Sequence, residues 1–139
     1  FRRNIIKLAT HLIHVTCAIV IQEGKILATQ RSESMSLPLK WEFPGGKIEA
    51  KETPEACLHR EIKEELGIEI RLKEKLLENH HQYDKISINL IPYLAEITSG
   101  VIELKEHKNY RFLNRTELLT LDWAAADIPI VHQLLKREL

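Results

Sequence analysis

The sequence predicts an α/β (α+β) sandwich, in which a mixed β-sheet is packed between helices. Three observations support this fold class. β-Branched segments separated by turn residues occur on both sides of the centre of the chain, as is typical of strands. An amphipathic helix is predicted at the centre, and a second helix near the C-terminal end. A length of 139 residues suits one hydrophobic core, so residues 1–139 are predicted to form a single domain.

The N-terminal half of the chain is predicted to form strands joined by short turns. Its β-branched segments favour strands, and the Glu-Gly pair at residues 23–24 is typical of a hairpin turn. Residues 1–10 are basic and mixed in character, and no element is assigned to them. The predicted elements are a strand at His14–Ile21, a turn at residues 22–25, a strand at Ile26–Gln30, a polar loop at Ser32–Lys40 and a short strand at Trp41–Phe43.

The C-terminal half is predicted to contain two long strands and a closing helix. Alternation from Glu69 to Gln82 favours one long strand, and Ile86–Ile97 favours a second. Pro92 lacks a backbone donor, so it indicates a sheet edge or a bulge. The remaining predicted elements are a loop at Glu103–Phe112 that runs into a strand at Tyr110–Leu113, a helical turn at Thr116–Leu121, and a helix capped by Asp127, with Pro129 in its first turn and Val131, Leu134 and Leu135 facing the core.

The balance of charges excludes several classes of partner. The sequence holds 20 basic and 20 acidic residues, so no overall field attracts a nucleic acid polymer or an anionic membrane. The longest apolar run, Cys17–Ile21, is too short to span a bilayer. Cys17 and Cys57 have no metal-binding or redox spacing, and they are expected to be buried free thiols in the reducing environment of the cytoplasm.

The central helix has start and stop signals of its own. Thr53 can accept a hydrogen bond as N-cap, Pro54 suits the first helical position, and Gly67 permits a left-handed stop. Ahead of the helix, Pro44 and the glycine pair at residues 45–46 end the short strand. Glycine permits unusual backbone angles and close approach to a ligand. The apolar stripe that would dock the helix on the core consists of Leu58, Ile62 and Leu66.

Three carboxylates share one face of this helix, because Glu61, Glu64 and Glu65 are spaced at i, i+3 and i+4. Like charges this close repel one another and disfavour the helix unless a cation offsets them. Carboxylate oxygens are hard ligands that suit Mg²⁺. The alternative is an ordinary solvated acidic face, which is common in proteins.

The spacing around this helix resembles the Nudix box at each fixed position. The matching residues are Gly46, Glu52, Arg60, Glu61, Ile62, Glu64, Glu65, Gly67 and Ile68. Beyond the box, the segments WEFPGGKIE and WAAADIPIVHQL resemble the MutT-type nucleoside triphosphate pyrophosphohydrolases. The resemblance implies a mixed sheet between helices and hydrolysis of a nucleoside triphosphate to the monophosphate and pyrophosphate. It also implies Mg²⁺, or alternatively Mn²⁺, as the cofactor.

The same resemblance implies a set of metal ligands. Glu61, Glu64 and Glu65 would bind the metal together with the backbone carbonyl of Gly45. Glu106, on the late loop, stands where relatives carry a further glutamate that binds metal or acts as the base. A base has to lie within hydrogen-bond reach of the attacking water.

Other positions implied by the resemblance hold the loop and the phosphates. Glu52 and Arg60 would pair and hold the loop against the helix, or else form a surface ion pair of little energetic value. Arg31 corresponds to a phosphate-contacting arginine, whose planar guanidinium suits bidentate contact, with a solvated side chain as the alternative. Lys47 is a weaker candidate of the same kind. Glu42, in the matching WEFPGG segment, is expected among the substrate-binding residues.

Two residues are expected to contact the base of the nucleotide. Tyr83 falls where MutT-type enzymes place an aromatic ring beside the base, and stacking plus a hydroxyl would serve there. Asp127 falls where those enzymes have an asparagine that reads 8-oxoguanine. An ionised Asp offers only acceptors and would suit the amine of cytosine, whereas burial would keep it protonated and able to donate. Both 8-oxo-dGTP and CTP or dCTP are therefore substrate candidates.

The seven histidines contain no pair at i, i+4, which disfavours a zinc site. His80, His81 and His107 lie near the predicted site. All seven are expected to be solvated strand or loop residues.

Two other functions fit part of the sequence. A catalytically silent Nudix module that senses nucleotides is disfavoured by the intact set of Glu61, Glu64 and Glu65. ADP-ribose pyrophosphatases carry a proline shortly after the box, whereas none occurs here between Pro54 and Pro92. The protein is expected to be a monomer or a weak homodimer, with a nucleoside triphosphate as its binding partner.

Overall fold

The computed structural model describes residues 11–137. Residues 1–10, to which no element was assigned, lie outside the described residues, as do residues 138–139. No helix within residues 11–137 is long and apolar enough to cross a membrane. The elements are β1 His11–Gln22, β2 Lys25–Gln30, β3 Trp41–Glu42, β4 Gly45–Lys47, α1 Pro54–Leu66, β5 Glu69–Lys75, β6 Asn79–Gln82, β7 Ile86–Ser99, β8 Asn109–Leu113, two 3-10 helices at Arg115–Thr120 and Ala125–Asp127, and α2 Ile128–Leu135.

Two parallel strands, β1 and β7, form the centre of a mixed sheet. They pair from His11 opposite Ile86 to Val20 opposite Ala95. The strand order is β3-β2-β1-β7-β5, with β4 beside β1, β6 beside β7 and β8 beside β2. The other pairings between these strands of residues 11–137 are antiparallel. β1 extends beyond the predicted strand His14–Ile21 at both ends, because pairing with β7 and β2 holds residues whose own sequence gives little strand signal.

The predicted hairpin turn and the predicted free thiols are confirmed. Glu23 and Gly24 both have positive φ, at 52° and 77°, as a tight turn between β1 and β2 requires. Cys17 and Cys57 are buried, and neither forms a disulfide.

The helices cover opposite faces of the sheet, as the sequence predicts. Side chains alternate along β1, so that Cys17 and Ile19 face one layer while Ala18 and Val20 face the other. Residues of α2 pack in the first layer, and α1 packs in the second layer through its predicted apolar stripe. The stripe is fully buried. The predicted sandwich is therefore confirmed.

One predicted strand is two strands in the structure. The residues from 69 to 82 divide into β5 and β6, and the break at residues 76–78 lies opposite Pro92. The Pro92 carbonyl accepts the Leu76 N–H at 2.8 Å, but the Pro92 nitrogen has no hydrogen to donate in return. Of the two alternatives predicted at Pro92, the bulge agrees with this break, because residues 76–78 lie opposite only Ile91 and Pro92. The predicted sheet edge is wrong, since β7 lies between β1 and the strands β5 and β6.

The glycine pair forms a short strand rather than an open loop. In β4, Gly46 lies opposite Thr16 of β1, and neither Gly45 nor Gly46 has a positive φ. The expectation of unusual backbone angles is therefore wrong. Close packing explains the glycines instead. A Cβ on Gly45 would overlap the carbonyl oxygen of Thr16, and a Cβ on Gly46 would come within 2.6 Å of both Glu61 carboxylate oxygens.

The C-terminal elements follow the predicted order, with one correction at Asp127. α2 begins directly after this residue and has Pro129 in its first turn, as predicted. The Asp127 side chain makes no capping hydrogen bond, and its carboxylate accepts the Phe43 N–H at 2.9 Å. The predicted side-chain cap is therefore wrong. The physical reason is its helical backbone, with φ −87° and ψ −18°, since a capping residue needs extended angles.

Candidate active site

Helix α1 is fixed by its own caps and by the core. The Ala56 N–H donates to Thr53 Oγ1 at 3.0 Å, and Gly67 ends the helix in the left-handed region with φ 69°. Both predicted capping signals are confirmed. Because the buried stripe sets the rotation of the helix, Glu61 is directed at Gly46 in β4.

Arg60 links the carboxylates of α1 to the preceding loop. Its Nε and Nη2 donate to the two carboxylate oxygens of Glu52 at 2.6 and 2.9 Å. Its Nη1 donates to Glu61 at 2.9 Å and to Glu64 at 3.3 Å. The hydrogen bonds from Arg60 lower the pKa of Glu52 to about 2. The predicted contact between Glu52 and Arg60 is confirmed, and it ties the loop to the helix.

Glu65 is half-buried, and one of its carboxylate oxygens is buried without a partner. Burial, followed by the charges of Glu42 and Glu61, raises the pKa of Glu65 to about 9. Its Oε1 has no hydrogen-bond partner among residues 11–137. A buried oxygen without a partner is energetically costly. This oxygen is therefore available to a ligand.

The carboxylates of α1 fit a hard divalent cation. Glu61, Glu64 and Glu65 offer oxygen ligands of the type that Mg²⁺ and Mn²⁺ prefer, and the unpartnered oxygen of Glu65 has no other use in the fold. Within the described chain, no three His, Cys, Asp or Glu side chains already stand in a metal-binding arrangement. Arg60 instead occupies oxygens of Glu61 and Glu64. The assignment of these three residues and the Gly45 carbonyl as metal ligands stays a prediction.

Two predicted residues lie apart from this group. Glu106 is exposed on the loop before β8, and it joins no three-carboxylate cluster in residues 11–137. Lys47 is exposed in β4 and borders a separate depression with His14 and Glu52. Their roles, as metal ligand or base and as phosphate contact, stay predictions.

A cavity of about 240 Å³ lies beside Glu65. Strands β1, β3 and β4, the loop after β2 and the segment before α2 contribute to its walls. The fold thus brings together side chains from distant parts of the sequence, in a concave site that suits a small ligand. The predicted site residues that line it are Arg31, Glu42, Gly45, Glu65, Tyr83 and Asp127.

Arg31 lines the cavity and is held by two neighbours. Its Nη1 donates to Glu42 Oε1 at 2.9 Å, while Nε and Nη2 donate to the carbonyl and hydroxyl oxygens of Ser36. The side chain is 17% exposed, so it is not the freely solvated arginine of the alternative. A guanidinium has five N–H donors, and two of them remain for a ligand. Contact with phosphate stays a prediction.

The prediction that all seven histidines are solvated is wrong for His107. Its side chain is 1% exposed, and its Nε2 lies 2.8 Å from Glu42 Oε2. No hydropathy signal marks this residue, since Glu106 and Lys108 flank it. Its burial could have been predicted from its position two residues before β8. That strand pairs with β2, which also pairs with the strand that carries Glu42.

Asp127 is buried and borders the cavity. Burial, followed by the charge of Glu42, raises its pKa well above its ordinary value, against the opposing effect of the Phe43 N–H. Of the two protonation states considered from the sequence, the protonated one is therefore favoured. A protonated carboxyl offers both a donor and an acceptor.

Tyr83 borders the same cavity and is half-buried. Its hydroxyl oxygen accepts the Ala126 N–H at 2.9 Å, and its ring packs edge-on against His81 with 4.4 Å between centroids. The hydroxyl hydrogen can still donate to a ligand. Because Ala126 adjoins Asp127, Tyr83 also fixes the segment that carries the buried carboxyl. Contact of Tyr83 with a base stays a prediction.

Comparison with known proteins agrees with this geometry. The family model of the NUDIX domain matches residues 10–134. The chain belongs to the NUDIX family. Nudix hydrolases act on nucleotide substrates, generally with a divalent metal.

Relatives of this Nudix chain cover most of its length. It is 33% identical to the CTP pyrophosphohydrolase of Escherichia coli K12, over 86% of this chain and 89% of that protein. It is also 33% identical to the 8-oxo-dGTP diphosphatase of Haemophilus influenzae, over 89% of this chain and 92% of that protein. The solution structure of MutT from methicillin-resistant Staphylococcus aureus 252 superposes with a TM-score of 0.74 at 42% identity, over 91% of this chain and 97% of that one.

Two matched glycine variants separate packing from chemistry in this Nudix site. Gly45→Ala is expected to lower the free energy of unfolding by about 1–3 kcal/mol, because the new Cβ overlaps the backbone carbonyl of Thr16. In Gly46→Ala the new Cβ meets the end of the Glu61 side chain, which can move. Compared with Gly45→Ala, Gly46→Ala should therefore lose less stability and more turnover. Thermal denaturation and nucleotide hydrolysis of both variants test this, and wild-type turnover in Gly46→Ala would contradict it.

Glu65 should make the stability of the metal-free Nudix protein depend on pH. Its pKa is about 9 in the folded protein against an ordinary 4.5, so the folded state binds this proton more tightly. The free energy of unfolding is expected to fall as pH rises between those two values. In denaturation experiments Glu65→Gln should reduce this fall, whereas Glu69→Gln, at a carboxylate that is 46% exposed, should not. An undiminished fall in Glu65→Gln would refute the assignment.

Proposed function

We propose that this protein is a Mg²⁺-dependent MutT-type nucleoside triphosphate pyrophosphohydrolase that releases the monophosphate and pyrophosphate. One observation carries the proposal: Glu65, with its unpartnered carboxylate oxygen, and the polar groups of Asp127 and Tyr83 border the same cavity. Such a site suits a ligand with phosphates at one end and a base at the other. Relatives named for hydrolysis of CTP and of 8-oxo-dGTP support the substrate class.

Charge neutralisation is the chemical requirement of this reaction. A divalent cation held by Glu61, Glu64 and Glu65 would neutralise the phosphate chain, activate the attacking water and orient the leaving group. Arg31 retains two N–H donors for a phosphate oxygen. The bidentate pair of Arg60 with Glu52 keeps the loop and the helix in fixed relation.

Among the candidate bases we favour 8-oxoguanine. Asp127 is buried, which favours its protonated state, and a protonated carboxyl offers the donor and acceptor of an asparagine-like group. CTP or dCTP is the second candidate. It is supported by the likeness to the CTP pyrophosphohydrolase, and it would require an ionised Asp127 that accepts from the amine of cytosine.

A panel of nucleoside triphosphates, assayed for released pyrophosphate with Mg²⁺, tests the proposal. We expect pyrophosphate rather than single phosphates, a higher kcat/KM for 8-oxo-dGTP than for dGTP or CTP, and no release in EDTA. A higher kcat/KM for CTP or dCTP would select the second candidate. Tight binding without turnover under any divalent metal would favour a nucleotide sensor.

We place this activity in the cytoplasm, where it would remove damaged nucleotides from the triphosphate pool. The protein would act as a monomer or a weak homodimer. Sedimentation at several protein concentrations tests this, since a stable higher oligomer would contradict it.

A further inference from the structure

His107 is an imidazole buried for a reason other than packing. Its side chain is 1% exposed, whereas the neighbouring Glu106 and Lys108 are exposed. Its Nδ1 is buried and has no hydrogen-bond partner within residues 11–137. A buried nitrogen without a partner destabilises a fold, so an aliphatic side chain would fill the same space at less cost. The use of histidine here has to come from Nε2.

The Nε2 atom of His107 meets one oxygen of Glu42 while Arg31 holds the other. Nε2 lies 2.8 Å from Glu42 Oε2, and Arg31 Nη1 lies 2.9 Å from Glu42 Oε1. An ionised carboxylate only accepts hydrogen bonds, so the proton has to reside on Nε2. The carboxylate is thus fixed from two sides, as when an outer hydrogen-bond partner orients a functional group.

Fixing Glu42 fixes Arg31 in turn. Glu42 lines the cavity together with Arg31 and Glu65, and its Oε1 is the anionic partner of the guanidinium. Ser36, the other partner of Arg31, belongs to an exposed loop. The direction of the two remaining N–H donors of Arg31 therefore depends on where the Glu42 carboxylate stands.

We propose that His107 is a positioning residue of the cavity, which orients Arg31 toward the phosphates of the substrate through the carboxylate of Glu42. This inference rests on the proposed function, since it assigns His107 a part in binding the phosphate chain. It needs no contact between His107 and the substrate.

Two replacements of His107 separate positioning from packing. Gln keeps an N–H donor near the place of Nε2, whereas Leu fills the space without one. We expect His107→Leu to lower kcat/KM by about 10–100-fold, mainly through a higher KM, and His107→Gln to stay within a few-fold of wild type. His132→Leu, at an exposed histidine of α2, is the control and should have wild-type kinetics. Equal losses in the Leu and Gln variants, or wild-type kinetics in the Leu variant, would overturn the proposal.

A double-mutant cycle tests whether His107 acts through Glu42. In a Glu42→Gln background, the further change His107→Leu should cost much less than it does alone, because residues that act as one unit are not additive. A full additional loss in that background would overturn the proposal. Circular dichroism and thermal denaturation of each variant establish that it is folded, and only folded variants enter the cycle.

Two measurements keep this proposal separate from the proposed activity. The ¹⁵N spectrum of the wild-type imidazole should show the Nε2–H tautomer of His107, and the Nδ1–H tautomer would overturn the proposal. The dissociation constant of a non-hydrolysable triphosphate analogue should rise in His107→Leu and not in His107→Gln. If the wild-type protein binds the analogue but releases no pyrophosphate from any triphosphate, the proposed function is contradicted. The role of His107 is then still decided by the affinities of the two variants for the analogue.

Discussion

Replacing Glu64 by Gln is expected to lower turnover by about two to four orders of magnitude while leaving the fold intact. The change keeps side-chain size and helix propensity but removes one anionic oxygen ligand from the predicted cation site. The Glu64 side chain is 60% exposed, and its ion pair with Arg60 is long at 3.3 Å. Its loss should therefore change stability little. Pyrophosphate release with Mg²⁺, measured beside thermal denaturation, provides the test.

A matched control for this variant lies just past the end of the same helix. Glu69→Gln also removes one carboxylate, at a residue that pairs with Lys63 outside the site, and it should keep wild-type turnover. If Glu64→Gln hydrolysed nucleotides with near-normal dependence on Mg²⁺, the catalytic assignment of the helix carboxylates would fail.

Helix α1 could be predicted because its start and stop signals and its apolar stripe are local. Thr53, Gly67 and the apolar stripe between them lie in one short segment, and each does what its residue type favours. The break between β5 and β6 could not be placed, since its cause is Pro92 on another strand. The strand at Gly45–Lys47 escaped prediction for the same reason, because its partner is β1.

In the candidate site, too, contacts within one segment could be predicted, whereas contacts between distant segments could not. The resemblance to the Nudix box implied the contact between Glu52 and Arg60, and both residues lie within that one segment. The buried His107 contacts Glu42, and the protonation state of Asp127 depends on the surrounding core and on the amide of Phe43. A sequence shows which groups can ionise, but it does not show which of them are buried. The protonation of Asp127 could therefore be given only as two alternatives.

Asp127→Asn is expected to leave the order of base preference nearly unchanged at neutral pH and to remove a loss of activity at high pH. Burial raises the pKa of Asp127 and so favours the protonated carboxyl, which resembles an amide in its hydrogen bonding. This proton supplies a hydrogen-bond donor and stabilises the folded protein. Both effects are fully present below the ordinary pKa of an aspartate and are lost as pH rises through the raised pKa of Asp127 in the folded protein. Because Asn does not titrate, kcat/KM for 8-oxo-dGTP should fall with pH in the wild type and stay level in the variant.

Asp127→Ala provides the contrast that separates base recognition from packing. If Asp127 contacts the base, the Ala variant should lose about 1–3 kcal/mol of discrimination between 8-oxo-dGTP and dGTP, the scale for one good bidentate contact. It should also lose stability, because the Phe43 N–H loses its acceptor. Lower stability with an unchanged order of substrates would make Asp127 purely structural. A shift of similar size in Asp127→Asn, away from CTP and toward 8-oxo-dGTP, would instead mean that the wild-type carboxylate is ionised and reads cytosine. We expect the Ala variant to lose discrimination between 8-oxo-dGTP and dGTP. An ionised Asp127 is disfavoured, since its charge would be buried beside the charge of Glu42.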